Sequence, residues 1–122
     1  MMKTTLLIGL GSFIGGSSRY LIWKFIYSNF TSVFPFGTFI VNLVGCFLIG
    51  VVLGWSSKNH LEMNWQLFLT TGILGGFTTF SAFSLETVNM IRSGQVMNAT
   101  LYVTLSLLLG ILCTFAGFLI NK

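Results

Sequence analysis

Gly72-Ile73-Leu74-Gly75-Gly76-Phe77-Thr78-Thr79-Phe80-Ser81-Ala82-Phe83 lies in the middle of an apolar segment that runs from about Trp65 to Ile91. A continuous membrane-spanning helix has no use for Gly75-Gly76 followed by Thr78-Thr79. Each glycine weakens a helix by roughly 1 kcal/mol relative to alanine. Threonine hydroxyls can take up the backbone groups that a broken helix sets free. The stretch therefore predicts a helix broken near 75–80, at membrane depth, where something polar is handled. Phe80 and Phe83 follow at i, i+3 spacing with Ser81 between them.

The flanking sequence sets this break in a membrane. Of 122 residues, 54% are hydrophobic and 7% charged, more apolar surface than a soluble domain of this size can bury. We read an all-α integral membrane protein of one domain, with four transmembrane helices. They run from about Thr4 to Tyr27, Phe34 to Trp55, Trp65 to Ile91 and Met97 to Ile120. Each can cross a bilayer core, which takes about 20 helical residues. The first segment lacks a short apolar core followed by a small-residue cleavage site and carries Arg19 instead, so no cleaved signal peptide is expected. The connections Ser28 to Val33, Ser56 to Asn64 and Arg92 to Val96 are short, so consecutive helices alternate in direction and both termini fall on one side. Trp23, Trp55 and Trp65 stand near segment ends, as an interfacial aromatic belt requires. Pro35, the one proline, stands at the start of the second helix, where its missing N–H costs little.

Lys3, Lys58 and Lys122 fall on the side of the termini, and Lys24, Arg92 and the more deeply set Arg19 on the other. Orientation follows a clear Lys/Arg excess on one side, and here there is almost none. The chain is expected to insert both ways; the alternative is a weak bias set by Lys3 and Lys58, with cytoplasmic termini. Gly9, Gly11, Gly15 and Gly16, and Gly45, Gly50 and Gly54, suit close helix approach in lipid. A homodimer is expected, antiparallel if insertion is dual. The net charge of +4 is scattered, so no nucleic-acid partner is expected. Cys46 and Cys113 read as small hydrophobes, and His60 as a solvated loop residue. No nucleophile–base pair and no metal-spaced cluster is found, which argues against an enzyme.

Polar groups inside membrane segments are expensive and mark function. Two readings fit Arg19: a side chain snorkelling to the interface, or a positive vestibule that draws anions in. Asn42 either bridges two helices or donates its amide N–H to an anion. Tyr102, Ser106, Gly110 and Thr114 are spaced i, i+4, i+8, i+12 and form one stripe. It reads as a ladder of O–H donors along a pathway, or as hydroxyls bonding back to the preceding turn. Glu86 is expected near water or accepting hydrogen bonds, since a buried bare carboxylate is costly. Most of the 13 phenylalanines must pack or face lipid. Phe80 and Phe83 differ in following the break, and the positive ring edge suits a small anion. Donors dominate this inventory, which points to an anion.

Three stretches resemble the signature motifs of the Fluc/CrcB fluoride channels: Gly11-Ser12-Phe13-Ile14-Gly15-Gly16-Ser17-Ser18-Arg19-Tyr20, Gly37-Thr38-Phe39-Ile40-Val41-Asn42-Leu43-Val44-Gly45, and Gly72 to Phe83 with Glu86. The resemblance implies a fluoride-selective passive channel of the cell's inner or plasma membrane. It would be built from two antiparallel four-helix subunits with two pores, and would lower cytoplasmic fluoride. It implies that Phe80 and Phe83 flank the fluoride path, with Asn42, Ser81 and Thr114 on its polar side and Arg19 near the vestibule. It also implies a structural Na+ at the dimer centre, held by the backbone carbonyls of Gly75 and Thr78. One departure stands out: Ala82 occupies a position where the family usually has threonine. The competing reading is a small multidrug-type proton-coupled transporter, which is expected to carry a glutamate in its first helix; this first helix has none. A structural adaptor would leave the break and the donor stripe without a use.

Overall fold

Long runs of Leu, Ile, Val and Phe without an internal proline have one way to satisfy their backbone in an apolar setting, which is to form helix. The computed structural model, which describes residues 1–29 and 33–121, is all helix and turn, with no strand among the described residues. Helix α1 spans Met2–Asn29 and α2 Phe36–Asn59. The third segment begins with α3, Met63–Leu67, widens into a π-helical stretch, Phe68–Leu74, and tightens into α4, Gly75–Phe77. It resumes as α5, Phe80–Arg92, and α6 follows over Val96–Ile120. The centre of the first connection, 30–32, and Lys122 lie outside the described residues. Pro35 stands immediately before α2. His60 ends that helix at φ 55°, with its N–H on the Ser56 carbonyl.

Three of the described segments are long and apolar enough to cross a membrane: Phe36–Asn59, Met63–Arg92 and Val96–Ile120. Helix α1 has the length, but Lys3, Arg19, Lys24 and its glycines and serines dilute its apolar character.

Burial is inverted relative to a water-soluble domain. Phe13, Phe25, Leu112 and Phe115 are among many large apolar side chains left exposed, whereas Tyr102, Val41 and Thr38 are the largest fully buried ones. Lipid takes the place of a core, and helices meet through small residues. Helix α1 packs on the π-helical stretch and α4, α2 packs on α6, and α5 also leans on α6. At the first crossing, a methyl on Gly11 would come 2.7 Å from the Phe68 carbonyl oxygen, and one on Gly76 2.7 Å from the Ser12 carbonyl oxygen. At the second, methyls on Gly50 and Gly117 would collide with the carbonyls of Thr114 and Phe47. These contacts fix the third segment and α6 against α1 and α2, and so fix the break between α4 and α5.

Candidate functional site

The backbone leaves helical geometry at Thr78 (φ −87°, ψ 159°) and Thr79 (φ −150°, ψ 115°), both extended, and returns to it at Phe80. Thr79 caps α5: its Oγ1 accepts from the Ala82 N–H at 3.2 Å and lies 3.3 Å from Ser81 Oγ. This supplies one of the orphan donors at the new helix start with a partner. Asn42, from α2, grips the same residue twice. Its Oδ1 accepts the Thr79 N–H at 2.9 Å, and its Nδ2 donates to the Thr79 carbonyl at 3.2 Å. From the other side, Arg19 Nε donates to the Gly76 carbonyl at 3.1 Å. That carbonyl belongs to the C-terminal end of α4, where a positive group suits the helix dipole.

These bonds redirect two N–H groups. In a continuous helix Thr79 N–H would bond the Gly75 carbonyl, and Ala82 N–H the Thr78 carbonyl. Here the first goes to Asn42 and the second to the Thr79 hydroxyl. The carbonyls of Gly75 and Thr78 thus lose their helical partners. Carbonyl oxygens are hard ligands, the donor set a hard cation takes. Gly75 is solvent-exposed in the protomer, and a methyl built on it meets only the Thr70 carbonyl oxygen, at 3.5 Å.

A cavity of about 320 Å³ adjoins the break, with Asn42, Gly75, Thr78, Phe80, Phe83 and Ser106 among its lining residues. The Phe80 and Phe83 ring centroids are 5.6 Å apart, with planes at 43°. Phe83 is half-buried against Tyr102, at 4.9 Å between centroids, whereas Phe80 is 77% exposed. A second cavity, of about 410 Å³, brings Arg19, Thr38, Thr79, Ala82 and Glu86 to one space. Arg19 and Glu86 share it without forming an ion pair. Both carboxylate oxygens of Glu86 are hydrogen-bonded: Oε2 accepts from Thr38 Oγ1 at 2.8 Å, and Oε1 from the Tyr102 hydroxyl at 3.0 Å. Thr38 and Tyr102 are themselves buried, at 1% and 0% exposure.

The sequence-derived residues thus divide. Asn42, Gly75, Thr78, Phe80, Phe83 and Ser106 share the cavity beside the break. Arg19 lines the second one, and Ser81 meets Thr79 Oγ1. Tyr102 turns its hydroxyl to Glu86. Thr114 sits at the α2–α6 crossing, with its Oγ1 directed to the carbonyls of Cys46 and Gly110 at 3.1 and 3.2 Å.

Comparison with known proteins supplies the family. Residues 6–118 match the family model described as "CrcB-like protein, Camphor Resistance (CrcB)". The chain belongs to the CrcB-like family. A relative from Flavobacterium psychrophilum is 42% identical over 99% of this chain and 98% of its own length. One from Oceanobacillus iheyensis is 45% identical over 95% of this chain and 89% of its own, and one from Chlorobaculum tepidum 45% identical over 100% and 97%. All three are named "Fluoride-specific ion channel FluC".

The sequence predicts that the hydroxyls of Thr78-Thr79 take up freed backbone groups, and Thr79 Oγ1 does accept the Ala82 N–H as a helix N-cap. One part of this CrcB-like chain's site escaped the sequence reading. Thr38, Glu86 and Tyr102 come from α2, α5 and α6, and no local spacing connects them.

Proposed function

We propose that the chain is a fluoride-selective passive ion channel that lets cytoplasmic fluoride leave the cell and so protects it from fluoride toxicity. The observation that carries this reading is the near full-length similarity to relatives named as fluoride-specific channels. Hydrogen fluoride forms in an acidic medium, enters the cell as a neutral acid and ionises in the less acidic cytoplasm; a passive anion pathway then releases the trapped ion down its electrochemical gradient.

The site's chemistry supports an anion pathway. A desolvated fluoride needs hydrogen-bond donors and positive ring edges, spaced so that none becomes a deep trap. The Phe80 and Phe83 rings, Ser81 Oγ, Ser106 Oγ and the second Nδ2 hydrogen of Asn42 supply such contacts along the break. On α6 the Tyr102 hydroxyl is directed to Glu86 and that of Thr114 to the Cys46 and Gly110 carbonyls, so these two border the stripe rather than donate to the ion. Arg19 raises the local anion concentration from the neighbouring cavity. A membrane glutamate that couples protons to a cation would need to load and unload; Glu86 is instead held on both oxygens by hydroxyls.

We further propose a four-crossing protomer, with α1 as the first span and the third span broken at Thr78–Thr79, in the inner or plasma membrane. Two copies would pair antiparallel in lipid. The balanced charges support dual insertion, and the exposure of Gly75, Phe80 and Ser81 on a single protomer suits a site completed by a second copy. A Na+ at that junction would be held by the Gly75 and Thr78 carbonyls and would supply positive charge that ties the copies together. Growth provides a test. A bacterial strain lacking its own fluoride exporter, given this gene, should grow in acidic fluoride medium, and a Phe83→Ile variant should restore growth poorly. Failure of the unaltered gene to protect, with the protein present in the membrane, would overturn the assignment.

A further inference from the structure

We infer that Asn42 is a positioning residue that holds the third segment's break open, rather than a donor whose main task is to contact the passing ion. It adds to the proposed channel reading and rests on that reading only for its flux measurement. The inference comes from which groups Asn42 touches. Its oxygen and one N–H engage the N–H and the carbonyl of a single residue, Thr79, at 2.9 and 3.2 Å. This is the pairing that one extended strand residue offers a neighbour, reproduced by a side chain.

The bond to the Thr79 N–H is the decisive one. That N–H is the group which would otherwise reach the Gly75 carbonyl and close the helix across the gap. Asn42 is therefore a competitor for the closing hydrogen bond. Two neutral hydrogen bonds bias such an equilibrium by roughly five- to hundredfold. The Thr79 cap on Ala82 N–H resists closure independently, but it leaves the Thr79 N–H free to swing back. Gly45, one turn along α2, makes the grip possible: a methyl there would overlap Thr78 Cγ2. Arg19 fixes the other edge by holding the Gly76 carbonyl. Helices α1 and α2 thus each contribute one side chain to the break, where the carbonyls of Gly75 and Thr78 have lost their helical partners.

A mere interhelical tether would affect stability but not the conformation of Thr79, and this separates the two roles. The test uses threonine-labelled protein reconstituted in lipid, with the 13Cα and 13Cβ shifts of Thr78 and Thr79 read by solid-state NMR. Unaltered protein should give extended shifts at both. Asn42→Leu, similar in size but without polar atoms, should move Thr79 toward helical shifts. Asn42→Asp keeps an oxygen acceptor for the Thr79 N–H and should retain extended shifts. If N42L does not reconstitute, N42S takes its place with the same expectation, since its hydroxyl is too short to reach Thr79 and bonds back to its own helix. Extended Thr79 shifts in N42L or N42S, or helical ones in N42D, would overturn the inference. In parallel, fluoride efflux should fall at least about fivefold in N42L. Unchanged efflux beside extended shifts sinks the positioning role alone, whereas absent efflux in unaltered protein sinks the channel reading and leaves the NMR result to decide the clamp.

Discussion

Replacing Thr38 by valine removes one hydroxyl from the Glu86 carboxylate and almost nothing else. The two side chains have nearly the same shape, so the cost is electrostatic rather than a cavity. Thr38 Oγ1 lies 2.8 Å from Glu86 Oε2, and Thr38 is 1% exposed. Hydrogen bonds to charged groups contribute about 1.5–3 kcal/mol, whereas neutral interhelical bonds in membranes average about 0.6 kcal/mol. Glu86 also borders cavities of about 410 and 270 Å³, from which water can approach the bared oxygen. We therefore expect the low end of the charged range, about 1.5 kcal/mol. The assay is reversible unfolding in mixed micelles, with T38V and Tyr102→Phe measured singly and together. The tyrosine supplies the other donor, at 3.0 Å from Oε1, so the double variant should depart from additivity by at least about 0.5 kcal/mol. A loss below about 0.5 kcal/mol for T38V, or strict additivity, would refute the claim that three helices are tied through one carboxylate.

Further outcomes follow from other contacts. Gly117→Ala places a methyl against the Phe47 carbonyl and the Val51 N–H on α2; it should destabilise the protein by about 1–3 kcal/mol in the same unfolding assay, and wild-type stability would mean the crossing is looser than described. Phe80→Ile and Phe83→Ile should each reduce fluoride efflux while the assembly state, read by cross-linking, is kept; full efflux would leave the rings as packing groups. Ala82→Thr adds a hydroxyl to the cavity shared by Arg19 and Glu86 and should raise efflux; an unchanged rate makes that hydroxyl irrelevant to transport.

The helical class and the three apolar membrane-length segments were legible because composition and run length alone decide them. The Gly75-Gly76 and Thr78-Thr79 pairs carry a local signal because helix propensity is a local property, and the backbone is extended at Thr78 and Thr79. Asn42 was harder to read. Bridging and donating were both open to a lone amide, and only the fold brings it to Thr79, at a sequence distance that no periodicity spans. Thr114 illustrates the limit of a stripe: its spacing put it in line with Ser106, but its hydroxyl turns to the Cys46 and Gly110 carbonyls. The Thr38–Glu86–Tyr102 cluster joins three helices and has no local signal. The π-helical widening at Phe68–Leu74 was also unannounced, although it coincides with the close approach of Gly72 to Gly11.

The central claim is that this chain conducts fluoride passively and selectively. Its most direct test is ion release from proteoliposomes loaded with fluoride or with chloride, followed by ion-selective electrodes after a potassium ionophore sets the membrane potential. The account predicts rapid fluoride release that follows the imposed potential, and chloride release no faster than from protein-free vesicles. Equal release of the two halides, or fluoride release that needs a proton gradient, would contradict it.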